Sequence, residues 1–166
     1  MTAARTDRPS ARVVLLDDAG RVLLFRIVDP QEDKPPVWIT PGGGVERGED
    51  LAVAAARELR EETGVVVAPA ALGAPVAVCR GAWSFRGLPL YSVDWLFAFR
   101  TAAFEPDDSE WSELERELHC DWRWWSSDDI DGAEEIILPD GLGPLVRDLV
   151  LDRRPAEPVE LPWREV

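Results

Sequence analysis

A chain of 166 residues with 46% apolar content is long enough for one domain with a sizeable core and too apolar for wholesale disorder. Its formal net charge of −14 repels polyanions and weighs against sequence-independent binding to duplex DNA or RNA; small phosphorylated substrates stay open, because a bound cation inverts the local potential. No apolar run approaches the ~18 residues of a membrane span, and the polar opening MTAARTDRPSAR lacks the apolar segment of a secretory signal, so the expected compartment is the cytoplasm, with Cys79 and Cys120 as reduced thiols.

In chain order, residues 1–10 are polar and expected to be flexible. Apolar runs at 12–16 and 21–25 flank Asp17, Asp18, Ala19 and Gly20, which predicts a β-hairpin. The stretch DPQEDKPP at 29–36 reads as a loop. A short strand at 37–39 leads through Thr40 and Pro41 to Gly42, Gly43 and Gly44. Alanines and leucines predict a helix from Asp50 to Thr63, with Glu49 and Asp50 favourable at its start and Gly64 as a left-handed cap. Residues 65–67 begin another extended segment. Strands are expected at 75–80 and 91–100, with GAWSFRGLP as the loop between them. Residues 105–118 form an acidic loop or short helix, 122–125 a strand, Ser126 to Asp129 a helix cap, and 142–151 the last helix. The Pro-rich tail at 153–166 is expected to be extended. One domain at 11–152 results. Strands and helices mix without strict alternation, which predicts an α/β (α+β) class with a mixed sheet flanked by helices.

The run Gly43 to Val65 carries the chemistry. At about 100° per residue, Glu58, Glu61 and Glu62 stand at i, i+3 and i+4 and project from one side of the helix. Ala52, Ala55, Ala56 and Leu59 form the neighbouring apolar stripe. Like charges at this spacing destabilise a helix by a few tenths of a kcal/mol per pair, a cost that bound cations remove. Hard oxygen donors suit Mg²⁺ or Mn²⁺. Arg57 can pair with Glu49 or a neighbouring carboxylate, and the three glycines bring bare backbone to the helix entrance. An exposed acidic helix face is the plain alternative.

With these residues in view, Gly43 to Val65 matches the Nudix box, GX5EX7REUXEEXGU with U a bulky aliphatic residue, at every specified position. The upstream hairpin, the Trp38–Gly44 approach and the segment from Trp122 to Ile130 also resemble Nudix proteins. The resemblance implies an α/β/α sandwich and Mg²⁺- or Mn²⁺-dependent hydrolysis of a diphosphate linkage in a nucleoside diphosphate derivative, with water attacking phosphorus. It implies Glu61 and Glu62 as principal metal ligands and Glu58 as ligand or general base. It further implies the Gly43 carbonyl as a ligand, Arg57 with Glu49 as the orienting pair, and an additional glutamate from a downstream loop.

Trp83, Phe85 and Trp111 lie in expected loops, where an aromatic ring can stack on a nucleobase. Among Glu110, Glu113, Glu115 and Glu117, Glu113 is taken as the substrate-side acidic residue. His119 is not read as catalytic. Expected partners are a small nucleotide-type substrate, with no polymeric nucleic acid and no membrane, and a homodimer in which Trp163 of the tail packs on a second subunit. A nucleotide-sensing module without turnover is the competing class. An isomerase of an isoprenoid diphosphate is a third, for which neither cysteine has a suitable context.

Overall fold

The computed structural model describes residues 7–166. Strand β1 (Asp7–Leu16) turns through Asp17 and Gly20 into β2 (Val22–Ile27). Asp17 closes the turn: its carboxylate accepts from the backbone N–H groups of Ala19 and Arg21, and the Arg21 guanidinium bonds its other oxygen. Strands β3 (Val37–Ile39) and β4 (Gly42–Gly44) lead to helix α1 (Leu51–Thr63). Gly64 ends α1 at φ 81°, its N–H donating to the Arg60 carbonyl. A 3-10 turn (Pro69–Leu72) precedes β5 (Ala77–Phe85) and β6 (Leu88–Arg100). Helix α2 (Glu113–Leu118), β7 (His119–Trp125), α3 (Ser127–Asp131), β8 (Ile136–Leu138), α4 (Leu142–Val150) and β9 (Val159–Leu161) complete the chain.

Among the described residues, these nine strands form one sheet, with the path β8-β3-β2-β1-β6-β5-β9 and with β4 on β1 and β7 on β2. It is mixed: β1 runs parallel to β6, β3 to β8 and β5 to β9, and the other pairs are antiparallel. Alternation along β1 divides the core. Ala11, Val13 and Leu15 face α1 with Ala54, Ala55 and Leu59, while Val14 and Leu16 face α4 with Leu142, Leu145 and Val146. Helices therefore cover both faces, which is the predicted α/β/α sandwich. No helix among the described residues is long and apolar enough to cross a membrane.

Several expectations need correction. Residues 1–6 lie outside the described residues, but 7–10 are not flexible: they begin β1 and pair with β6 from Asp7↔Tyr91 onward. Residues 65–67 form no strand. Val65 and Val67 pack on the α1-side core while Val66 is exposed. The link at 81–89 is not a loop. β5 and β6 continue to a two-residue turn at Arg86 and Gly87, so Trp83 and Phe85 are strand residues paired with Leu90 and Leu88.

The tail also departs from expectation. Strand β9 adds to β5, and Trp163 packs on its own chain, over Gly81, with its indole N–H donating to the Ala82 carbonyl at 2.9 Å. A β-carbon on Gly81 would sit 2.0–2.2 Å from the Trp163 ring. Gly81→Ala is therefore expected to expel the ring and lower stability by about 1–3 kcal/mol, the scale of unpacking a part-buried aromatic. Denaturant midpoints measure the loss, and rapid proteolysis beyond Arg153 should accompany it. An unchanged midpoint would mean the tail contributes nothing.

Candidate active site

The site is assembled where α1 meets the glycine strand. Ala54, Ala55 and Leu59 anchor α1 on the sheet, and Glu58 and Glu62, one turn apart, are buried with them. Strand β4 comes close because it is glycine. Gly42 has φ 142°, and a β-carbon there would lie 2.4 Å from the Ala11 carbonyl oxygen. Its N–H donates to Glu62 Oε2 at 2.6 Å. At Gly43 a β-carbon would be 2.8 Å from Cδ, Oε1 and Oε2 of Glu58. The bare backbone of Gly43 thus leaves the space that the Glu58 carboxylate occupies.

Arg57 ties the acidic residues together. Its Nε and Nη2 hold both oxygens of Glu49 at 2.8 and 3.0 Å. Its Nη1 reaches Glu58 at 2.8 Å and Glu61 at 3.2 Å, and Nη2 also donates to the Gly44 carbonyl. This bidentate, charge-assisted contact fixes the loop before α1. Hydrogen bonding from Arg57 lowers the Glu49 pKa. Burial raises that of Glu58 in spite of Arg57, and burial pushes that of Glu62 well above the usual carboxylate range. Glu62, buried and bonded to the neutral Gly42 N–H, beside a Glu58 that shares Arg57 with Glu49 and Glu61, is the electrostatic signature of a cation site or a tuned acid–base group.

The third member of the group comes from α2. One carboxylate oxygen each of Glu58, Glu62 and Glu115 lies within 4.8 Å of the others. Glu61 stands outside this grouping, with 31% of its side chain exposed and its carboxylate next to Arg57 and Arg60. Glu113 is exposed in the first turn of α2. Glu115 also accepts from the Ser112 backbone N–H at 2.6 Å, half of a reciprocal capping box. That Ser-x-x-Glu spacing was the available sequence signal: it starts the helix at Ser112 and puts Glu115 at a defined position of the first turn.

The aromatic residues sort differently from expectation. Trp111 is engaged inside the fold: its indole N–H donates to the Glu62 carbonyl at 2.8 Å, and its ring meets Phe25 and His119 edge-on. His119 stacks on Phe25, with Nε2 3.9 Å from Glu62 Oε1. Burial lowers its pKa to about 4, so the ring is neutral at pH 7. Trp83 donates to the Ser92 hydroxyl, and Phe85 lies beside Trp83 and Arg86. Two surface hollows of about 460 and 420 Å³ lie away from the carboxylates, one at Lys34 and Arg86 and one at Arg123 and Trp125. Donor chemistry, not cavity size, marks the site.

A helix-borne carboxylate group reached through a glycine strand, on a mixed sheet between helices, is a set of hard oxygen donors suited to a divalent cation. The NUDIX domain family matches residues 6–149, and the chain belongs to that family. An RNA pyrophosphohydrolase of Caulobacter vibrioides is 37% identical over 142 residues, covering 80% of this chain and 77% of that protein. One from Azorhizobium caulinodans is 32% identical over 150 residues, covering 80% and 83%. The crystal structure of the MutT protein from Methanosarcina mazei Go1 shares the fold with a TM-score of 0.62 at 18% identity, covering 93% of this chain and 100% of that one. The chain is thus a Nudix pyrophosphohydrolase, an enzyme that cleaves a diphosphate linkage, which sets aside the sensing-module alternative.

Proposed function

We propose that this enzyme is Mg²⁺- or Mn²⁺-dependent and hydrolyses a phosphoanhydride of a nucleoside diphosphate derivative, with water attacking phosphorus. The observation that carries the reading is the approach of Glu58, Glu62 and Glu115 to within 4.8 Å of one another. Three oxygen donors, with Glu62 buried and bonded to the neutral Gly42 N–H, fit a hard divalent cation. Glu61 adds a further carboxylate from the same helix turn, and the Gly43 carbonyl is proposed as an additional ligand. A bound divalent cation neutralises the diphosphate and makes water a better nucleophile. Arg57, gripping Glu49, Glu58 and the Gly44 carbonyl, keeps the carboxylates and the glycine strand in register. Glu58 serves either as a further ligand or as the proton acceptor, a role that contributes typically 10²–10⁴-fold.

The substrate proposed is a nucleoside triphosphate, an oxidised nucleotide or a nucleotide sugar. A second reading follows from the relatives named RNA pyrophosphohydrolase: the triphosphate at an RNA 5′ end contains the same anhydride. With a net charge of −14, long contact with the RNA backbone is disfavoured, so recognition would be confined to the first nucleotides. The compartment proposed is the cytoplasm.

A substrate panel with Mg²⁺ and with Mn²⁺, products identified by mass, tests this. It includes nucleoside triphosphates, ADP-ribose, nucleotide sugars, dinucleoside polyphosphates and short 5′-triphosphorylated RNA. Cleavage of at least one member is expected, abolished by EDTA and restored by either metal. Undiminished turnover in EDTA would overturn the metal dependence, and no turnover of any member would overturn the substrate class.

A further inference from the structure

The tip of the β5–β6 hairpin is an unusual place for an arginine. Arg86 and Gly87 have φ of 48° and 80°. A two-residue turn with both φ values positive favours Asn or Gly, and a larger side chain at the first position is strained. The Arg86 side chain is nevertheless fully engaged. Its Nε and Nη2 hold both oxygens of Asp29 at 2.9 and 3.1 Å. Nη2 also meets Glu117 Oε1 at 3.1 Å, and Gln31 Nε2 donates to that same oxygen at 2.7 Å. The Arg86 backbone N–H donates to Glu32. The hairpin tip, the loop after β2 and helix α2 thus converge on Glu117.

Helix α2 has six residues and buries none of them, and a helix this short is not stable alone. It supplies Glu115, the one member of the carboxylate group that does not come from α1. Two positions separate Glu115 from Glu117, about 200° around a helix. The two side chains leave on opposite sides: one joins Glu58 and Glu62, the other joins Arg86. The first turn is held by the Ser112 capping box and by Trp111 on the Glu62 carbonyl. Glu117 is the side chain by which the last turn is held to the hairpin.

We infer that Arg86 is a positioning residue for Glu115, acting through Glu117 across α2. The inference rests on reading Glu58, Glu62 and Glu115 as cation ligands. The contacts of Arg86 are with Asp29, Glu117 and the Phe85 ring, not with the carboxylate group. Without Arg86 the last turn keeps Gln31 on Glu117 and the Val28 N–H on the Leu118 carbonyl but loses its charged contact to the hairpin, and the Glu115 oxygen spends less time at ligand distance.

Mn²⁺ binding to the full chain, followed by calorimetry without substrate, provides the test. Arg86→Met and Glu117→Ala are each expected to weaken Mn²⁺ binding about threefold to tenfold. In a Glu115→Gln background, Arg86→Met should cause no further loss. Turnover of Arg86→Met at saturating Mn²⁺ should return close to that of the wild type, which a generally damaged fold would not allow. Unchanged Mn²⁺ affinity in Arg86→Met, or the same loss with and without Glu115, overturns the positioning role. If Glu115→Gln itself binds Mn²⁺ as the wild type does, the ligand reading fails and takes this inference with it. Should Arg86→Met not fold, Glu117→Ala carries the same comparison.

Discussion

Glu62→Gln is expected to give a protein that is nearly inactive and, in the absence of metal, more stable than the wild type. Glutamine keeps the oxygen that accepts from the Gly42 N–H and removes a charge held out of water. Losing one anionic donor from the site should lower turnover by about 10²–10³-fold, since several kcal/mol of charge stabilisation at phosphorus depends on the bound cation. The stability change has a definite pH course. Burial raises the folded-state pKa of Glu62 above its unfolded value, so the folded protein binds this proton more tightly than the unfolded chain does. The stabilisation is complete below the unfolded pKa and is lost as pH rises through the folded one. Glutamine has no such loss. Metal-free melting curves should therefore coincide near about pH 4 and separate toward about pH 8, with the variant melting higher. Mg²⁺ should raise the wild-type midpoint at the higher pH and leave that of the variant in place. Coincident curves at all pH values, or full activity of the variant, would remove Glu62 from the role given to it.

Gly43→Ala is the second large effect, and it should also separate function from stability. Gly43 is not among the glycines with positive φ, so an alanine strains no backbone there. What its methyl meets is the Glu58 carboxyl at 2.8 Å, the far end of a flexible side chain. The glutamate can swing aside, and the folding cost should stay within about 1 kcal/mol. The swing pulls Glu58 away from Glu62 and Glu115 and strains its bond to Arg57. Activity at fixed Mg²⁺ is expected to fall by about 10–100-fold, with a higher metal requirement. Metal titrations of activity beside thermal melts distinguish this from misfolding. A variant with a normal metal requirement would show that Glu58 can serve from another position.

How much of this was legible depended on how local the determinants were. Helix α1 could be read because its cap at Gly64, its alanine face and the Arg57–Glu49 spacing all lie within one short segment. The hairpin around Asp17 was readable for the same reason. The approach of Glu115 to Glu58 and Glu62 hinges on where a six-residue helix begins, which the Ser112 capping box fixes. GAWSFRGLP reads as a loop when Gly and Pro are taken as breakers. Pro89 is tolerated because it lies before Tyr91, where the pairing of β6 with β1 begins, and Gly81 is required by the ring above it, not by a bend. Residues 65–67 are β-branched enough for a strand but find no partner, so propensity yields to topology. The contact of Trp163 with Gly81 joins segments about eighty residues apart, and no local pattern announces it.

Strand β9 carries a consequence for the border of the sheet. Without its last residues, β5 would end the sheet with a row of unpaired N–H and C=O groups, the kind of border that invites a neighbouring molecule to add a strand. Strand β9 covers Ala77–Cys79 of that border, and the Trp163 indole N–H takes up the Ala82 carbonyl beyond it. A variant cut at Arg153 is expected to expose that border as a template for strand addition.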